Sequence, residues 1–159
     1  MTELAAQEIA HLERAVALAQ AARDRGDHPF GAVVVAVDGA VVEAMNSVVT
    51  EHDPTGHAET NAVRASGRRL SDAQLRTATL YTSTEPCAMC AAAIFWAGIP
   101  RMVFALSGAA LIDQLPAGSD APSLDLPARE VYARASHPVE AVGPVPLPAA
   151  VAVHADFWA

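Results

Sequence analysis

The chain predicts an α/β fold, a sheet with helices packed on its faces, and three observations carry that prediction. Near the N-terminus Ile9, Leu12, Val16 and Ala19 recur at three- and four-residue spacing, the mark of an amphipathic helix. Two β-rich apolar runs then flank Asp38-Gly39, a dipeptide that favours a tight hairpin turn. Beyond the hairpin, short apolar runs alternate with helical patterns, which builds a sheet covered by helices.

The first helix is read over residues 3–23, with Gly26 as its stop signal. Gly31 to Val37 and Ala40 to Met45 form the hairpin strands, and residues 46–56, with Asp53-Pro54 and Gly56, form a loop. A helix is expected from His57 to about Arg69, a strand from Thr79 to Thr82, a helix from Cys87 to Ala97 and a strand from Arg101 to Leu106. Gly and Pro punctuate residues 107–127, which read as loop. A short helix is expected over 128–136, a last strand over Val139 to Val142, and a terminal helix over 147–159 that docks Phe157 and Trp158. No repeat, low-complexity tract or linker interrupts the chain, so residues 1–159 are read as a single domain.

Composition narrows the function classes. With 159 residues, 52% apolar and 18% charged, the chain can bury a full core and is unlike a disordered sequence. There is no uninterrupted apolar run of membrane-spanning length, and Met1-Thr2-Glu3-Leu4 lacks the basic start of a signal peptide. A cytoplasmic protein is expected. The net charge is −8 and the ten basic residues are all arginine, which disfavours counterion-driven binding to nucleic acid. Both cysteines fall in Cys87-x-x-Cys90, so no disulfide framework is available, and a metal or redox site is expected instead.

The chemistry concentrates in His57-Ala58-Glu59 and Pro86-Cys87-Ala88-Met89-Cys90. Cys87 and Cys90, three residues apart at a helix start, project towards one point. The helix N-terminus and a dication both favour their thiolates. His57 adds an imidazole at the start of the preceding helix. Three protein ligands with water in the fourth position is the catalytic zinc arrangement, whereas a structural site is closed by a fourth protein ligand. One Zn²⁺ per chain, held by His57, Cys87 and Cys90, is therefore expected. Glu59 can reach the bound water without ligating the metal, as a general acid/base must. The pattern His-x-Glu with Pro-Cys-x-x-Cys is the signature of zinc nucleobase deaminases. Of the other histidines, His11 and His137 read as solvated, and His28, His52 and His154 lie near segments that could border the pocket. The competing reading is a non-catalytic zinc or redox module on the same fold.

These residues resemble the cytidine deaminase superfamily, in the branch that holds guanine deaminases and bacterial tRNA adenosine deaminases. The resemblance covers roughly residues 5–106. Besides the two motifs it includes Pro29-Phe30-Gly31-Ala32, Asn46 and Asp53-Pro54-Thr55-Gly56, and it continues from Leu80 through Glu85. It implies a three-layer α/β/α sandwich around a central five-stranded mixed sheet, one zinc, and a homodimer with active sites near the interface. By position it implies Glu59 as the proton shuttle. It also implies Asn46 as a hydrogen-bonding partner of the base, Phe30 as an aromatic against the ring, and the backbone of Ala58, Thr84 and Glu85 along the reacting edge.

The Asp53-Pro54-Thr55-Gly56 loop and Pro29-Phe30 look more like guanine deaminases than tRNA enzymes, which tend to carry valine where Phe30 stands. A free nucleobase or nucleoside, with a guanine-type purine first, is the expected substrate. A tRNA anticodon adenosine, or cytosine or another aminated heterocycle, are the alternatives. The densest arginine group, Arg64, Arg68 and Arg69, is too small a surface for structured RNA. Guanine deaminases use a C-terminal acidic residue to hold the base, for which Asp113, Asp120 and Asp156 are candidates here. Residues 140–159 could cap the site, bringing His154 and Trp158 to the substrate as well.

Overall fold

The computed structural model describes residues 3–159; Met1 and Thr2, part of the N-terminal reading above, lie outside them. Among the described residues, α1 (Ala6–Asp24), β1 (Gly31–Val35), β2 (Val41–Met45), α2 (Ala58–Arg69) and α3 (Asp72–Leu75) come first. They are followed by β3 (Thr79–Thr84), α4 (Ala88–Trp96), β4 (Arg101–Leu106), α5 (Gly108–Ile112), α6 (Ala128–Tyr132), β5 (Glu140–Val142) and α7 (Pro148–Ala152). The strands form one mixed sheet in the order β2-β1-β3-β4-β5, with β1 antiparallel to both neighbours and β3, β4 and β5 parallel.

Side-chain alternation along the strands divides the core into two layers. Ala32, Val34, Leu80, Met102 and Phe104 face α2, α4 and α6. Val33, Tyr81, Val103 and Ala105 face α1 and α7. The expected α/β/α sandwich is what the chain adopts. Gly31 lets α1 lie directly on β1, since a Cβ there would collide with the Ala15 carbonyl oxygen and stand 2.6 Å from the Ala19 nitrogen. Arg14 ties α1 to β2 through Glu43, and Arg101 joins Glu8 of α1 to Glu140 of β5.

Four segments differ from the sequence expectation, each for a local reason. The hairpin turns over Ala36–Gly39, with Gly39 at φ 89°, so its strands end at Val35 and restart at Val41. Helix α3 is held by a capping box in which Ser71 and Gln74 exchange hydrogen bonds. Within 107–127, Ser107 caps the short α5 by accepting a hydrogen bond from the Ala110 N–H. The terminal helix is only Pro148–Ala152; turns follow, and Asp156 at φ 58° prevents the helix from continuing.

Candidate active site

The sheet register brings the sequence-predicted residues to one edge. Gly31 pairs with Met45 and Ala32 with Thr82, so Phe30, Asn46 and Thr84 continue the ends of three neighbouring strands. The Asn46 N–H donates to the Phe30 carbonyl at 3.1 Å. The loops after β2 and β3 lead from this edge into α2 and α4, the usual ligand-binding side of an α/β sheet.

His57 is the N-cap of α2, Cys87 is the N-cap of α4, and Cys90 lies one turn into α4. Their donor atoms fall within 4.8 Å of one another, with His57 Nδ1 3.6 Å from Cys87 Sγ and 3.5 Å from Cys90 Sγ. A tetrahedral zinc with ordinary Zn–S and Zn–N bonds spaces its nitrogen and sulfur ligands about 3.5 Å apart, so the donors already stand at ligand separation. Two sulfurs and an imidazole suit zinc. Among the described residues no fourth histidine, cysteine or carboxylate joins the cluster.

The charges around this cluster are interdependent. The thiol of Cys90 beside Cys87, and then the His57 imidazole, pull the Cys87 thiol down to about 4 against partial desolvation. Cys90 is pushed up, because it shares its proton with Cys87 and is buried. The Cys87 contact raises His57 above its ordinary value despite burial. The Thr60 hydroxyl lies 3.3 Å from Cys90 Sγ and gives that sulfur a partner outside the cluster. Glu59 is 4% exposed, and burial pushes its carboxyl up, with the Cys87 charge adding to the shift. The Thr82 hydroxyl donates to Glu59 Oε1 at 2.9 Å and fixes the carboxylate. Thr82 was within reach of sequence reasoning: it is a polar residue at a strand position whose neighbour Leu80 faces the α2/α4 core.

Asn46 is buried, and its Oδ1 accepts hydrogen bonds from the His28 and Val48 N–H groups. Two N–H donors fix the amide orientation, leaving the NH₂ as the end available to a ligand. Asp27, fully buried, holds this loop in place. It accepts from the Val49 and Thr50 N–H groups and the Thr50 hydroxyl, and it pairs with Arg25 at 2.8 Å. Arg25 in turn donates to the Asn46 carbonyl. No sequence motif marks Asp27, because the loop groups it holds, the Val49 and Thr50 N–H and the Thr50 hydroxyl, lie more than twenty residues away.

Other candidates separate clearly. Ala58 is buried at the start of α2, and Thr84 is buried at the end of β3. The Glu85 carboxylate is committed to the Gly108 and Ala128 N–H groups, which open α5 and α6. The tail packs His154 and Trp158 against Phe30, with ring centroids 5.4 and 6.1 Å away, and Trp158 also meets His28 at 5.6 Å. Asp113, Asp120 and Asp156 are exposed, and no hydrogen bond or ion pair among the described residues links them to the site. His52 is exposed as well.

Fold and site together define a zinc-dependent deaminase. The chain belongs to the family of the cytidine and deoxycytidylate deaminase zinc-binding region, whose model matches residues 5–106. It is 43% identical over 157 residues to a "Probable cytosine deaminase" of Schizosaccharomyces pombe, covering 99% of this chain and 96% of that protein. It is 50% identical over 95 residues to the guanine deaminase of Bacillus subtilis, covering 58% and 60% of the two chains. Among solved structures, a guanine deaminase from Nitrosomonas europaea superposes with a TM-score of 0.74 at 25% identity, covering 96% of this chain and 85% of that one.

Asp27 yields a prediction with a defined pH window. Burial pushes its carboxyl up, but the Thr50 and Val49 hydrogen bonds and Arg25 outweigh burial and hold it below its ordinary value of 3.8. A depressed carboxyl stabilises the fold above the unfolded-state value, and that contribution disappears as pH falls through the folded-state value. Asp27→Asn should therefore lower stability by roughly 2 kcal/mol at pH 7, the scale of lost hydrogen bonds to a charged group, with the deficit shrinking below about pH 4. Denaturant unfolding at pH 7 and again at about pH 2 checks this, and an equal deficit at both would contradict it.

Proposed function

We propose that this chain hydrolytically deaminates a free aminated nucleobase or nucleoside, a guanine-type purine first, and releases ammonia. The observation that carries the reading is the buried Glu59 carboxylate beside a three-donor metal cluster that no fourth protein ligand closes. Zinc, when held by His57, Cys87 and Cys90, supplies a Lewis acid that brings the pKa of water towards neutrality. Glu59, buried beside the donor cluster and held by the Thr82 hydroxyl, takes a proton from the attacking water and passes it to a ring nitrogen. Water oxygen adds at the amine-bearing carbon; Glu59 then takes the second proton from the added hydroxyl and gives it to the departing amine, and the C–N bond breaks as the C=O bond forms. Base and water thus become the oxo-base and ammonia. Phe30 lies against the ring, the Asn46 amide donates to it, and the backbone of Ala58, Thr84 and Glu85 borders the reacting edge.

Two observations favour a second substrate, a 4-aminopyrimidine such as cytosine. The similarity to the S. pombe protein runs through the C-terminal third, and the acidic residues that could hold guanine there are exposed. A tRNA substrate has less support, because the chain carries net charge −8 and Arg64, Arg68 and Arg69 form only a small exposed group. The reading extends to residues 1–159 working as one catalytic unit capped by 140–159. It also includes a cytoplasmic location, where free thiols persist.

An ammonia-release screen of the zinc-loaded protein over guanine, cytosine, adenine, their nucleosides and an anticodon stem-loop tests the substrate class. Turnover of a free base is expected, and turnover of the stem-loop alone would contradict it. Glu59→Gln should retain zinc and lose at least about a thousandfold in kcat; substantial turnover in that variant would remove Glu59 from its role. Trp96 at 81% and Leu124 at 71% exposure supply apolar surface for a homodimer. Sedimentation at micromolar concentration should show the dimer mass, and a monomer would refute it.

A further inference from the structure

Among the buried polar side-chain atoms without a hydrogen-bond partner is His154 Nε2. The side chain is 1% exposed, so solvent does not serve it. Its other ring nitrogen, Nδ1, lies 3.3 Å from Trp158 Nε1. An indole N–H only donates, so Nδ1 must accept and the ring proton resides on Nε2. Burial, with the Arg23 charge adding, holds His154 down at about 4, so the ring is neutral and this tautomer persists at neutral pH. A sealed N–H with no acceptor is unfavourable, and native folds rarely retain one without a use.

The surroundings indicate what the acceptor is. His154 packs against Phe30 and is stacked on Trp158, with 15° between the rings. Phe30 is joined through its carbonyl to Asn46, and Asn46 Oδ1 is held by the His28 N–H, so the tail adjoins the residues assigned to the base. Arg23 fastens this tail, donating to the Val153 carbonyl at 2.7 Å and lying over the Phe157 ring at 5.5 Å. Thr84, at the same strand edge, also keeps a buried hydroxyl without a partner.

We infer that His154 is a specificity-determining residue whose Nε2–H donates to the ring carbonyl oxygen of the bound base. The inference rests on the deaminase reading above. The amine-bearing edge belongs to Glu59, so a neutral donor on the tail reads an acceptor elsewhere on the ring. Guanine and cytosine each carry a carbonyl apart from the reacting amine, and adenine carries none. The tail parts from Phe30 to admit the ring and closes with the carbonyl against Nε2.

Two substrate pairs probe the contact, guanine with 2-aminopurine and cytosine with 4-aminopyrimidine, each partner lacking the carbonyl and the ring N–H beside it; the His154 variants separate the two changes, because only the carbonyl faces Nε2. Zinc-loaded wild type should favour the carbonyl-bearing member of the pair it turns over by about tenfold, chiefly in KM. In His154→Phe the preference should fall to within about twofold, with zinc content and thermal midpoint kept, while His154→Gln should restore most of it. His154→Met removes the donor equally should the Phe variant fail to fold. Comparing preference ratios cancels the intrinsic reactivity of the analogues. A preference that survives in the Phe or Met variant overturns the role of His154 and leaves the deaminase reading intact. Absence of ammonia from every base with wild type overturns both.

Discussion

His57 and Cys87 each occupy the residue before a helix's first turn, and the 3.6 Å between their donor atoms holds only if α2 and α4 begin side by side above the sheet edge. That placement is a long-range constraint on the whole fold. It requires β2 and β3 to finish at the same edge, which the pairing of both with β1 secures. It also requires the loops after these strands to be fixed, one by Asp27, Arg25 and Asn61, the other by Pro86 and the Glu85 carboxylate. A shift of one residue in the pairing of β3 with β1 would turn Thr82 away from Glu59.

Burial then turns this geometry into chemistry. Burial raises Glu59 while the contacts of Cys87 with Cys90 and His57 lower its thiol, so the carboxylate is prepared to hold a proton where Cys87 is prepared to lose its own. Thr60 partners the Cys90 sulfur and Thr82 the Glu59 carboxylate, neither of them entering the metal cluster. They orient donors in the way outer partners of metal ligands generally do.

The metal donors and Glu59 are legible in the sequence because their relations are local: the cysteines stand three positions apart and Glu59 two positions after His57. The hairpin and the long helices are legible for a similar reason, since periodicity is a local signal. Helices α3 and α5 are hidden because four or five residues show no period; only the Ser71 and Ser107 caps betray them. Asp27 is invisible as a site residue because it works through main-chain groups far along the chain. The tail was legible in its aromatics, Phe157 and Trp158, but not in its path, which a left-handed residue at Asp156 bends back towards His28 and Phe30.

The central claim is that three residues of this chain hold zinc and leave one position for water. X-ray absorption at the zinc edge, on protein loaded to one zinc per chain, tests it directly. The spectrum should show two sulfur ligands at about 2.3 Å together with one imidazole and one further light atom. A first shell closed by four protein ligands, or one with fewer than two sulfurs, would contradict the account.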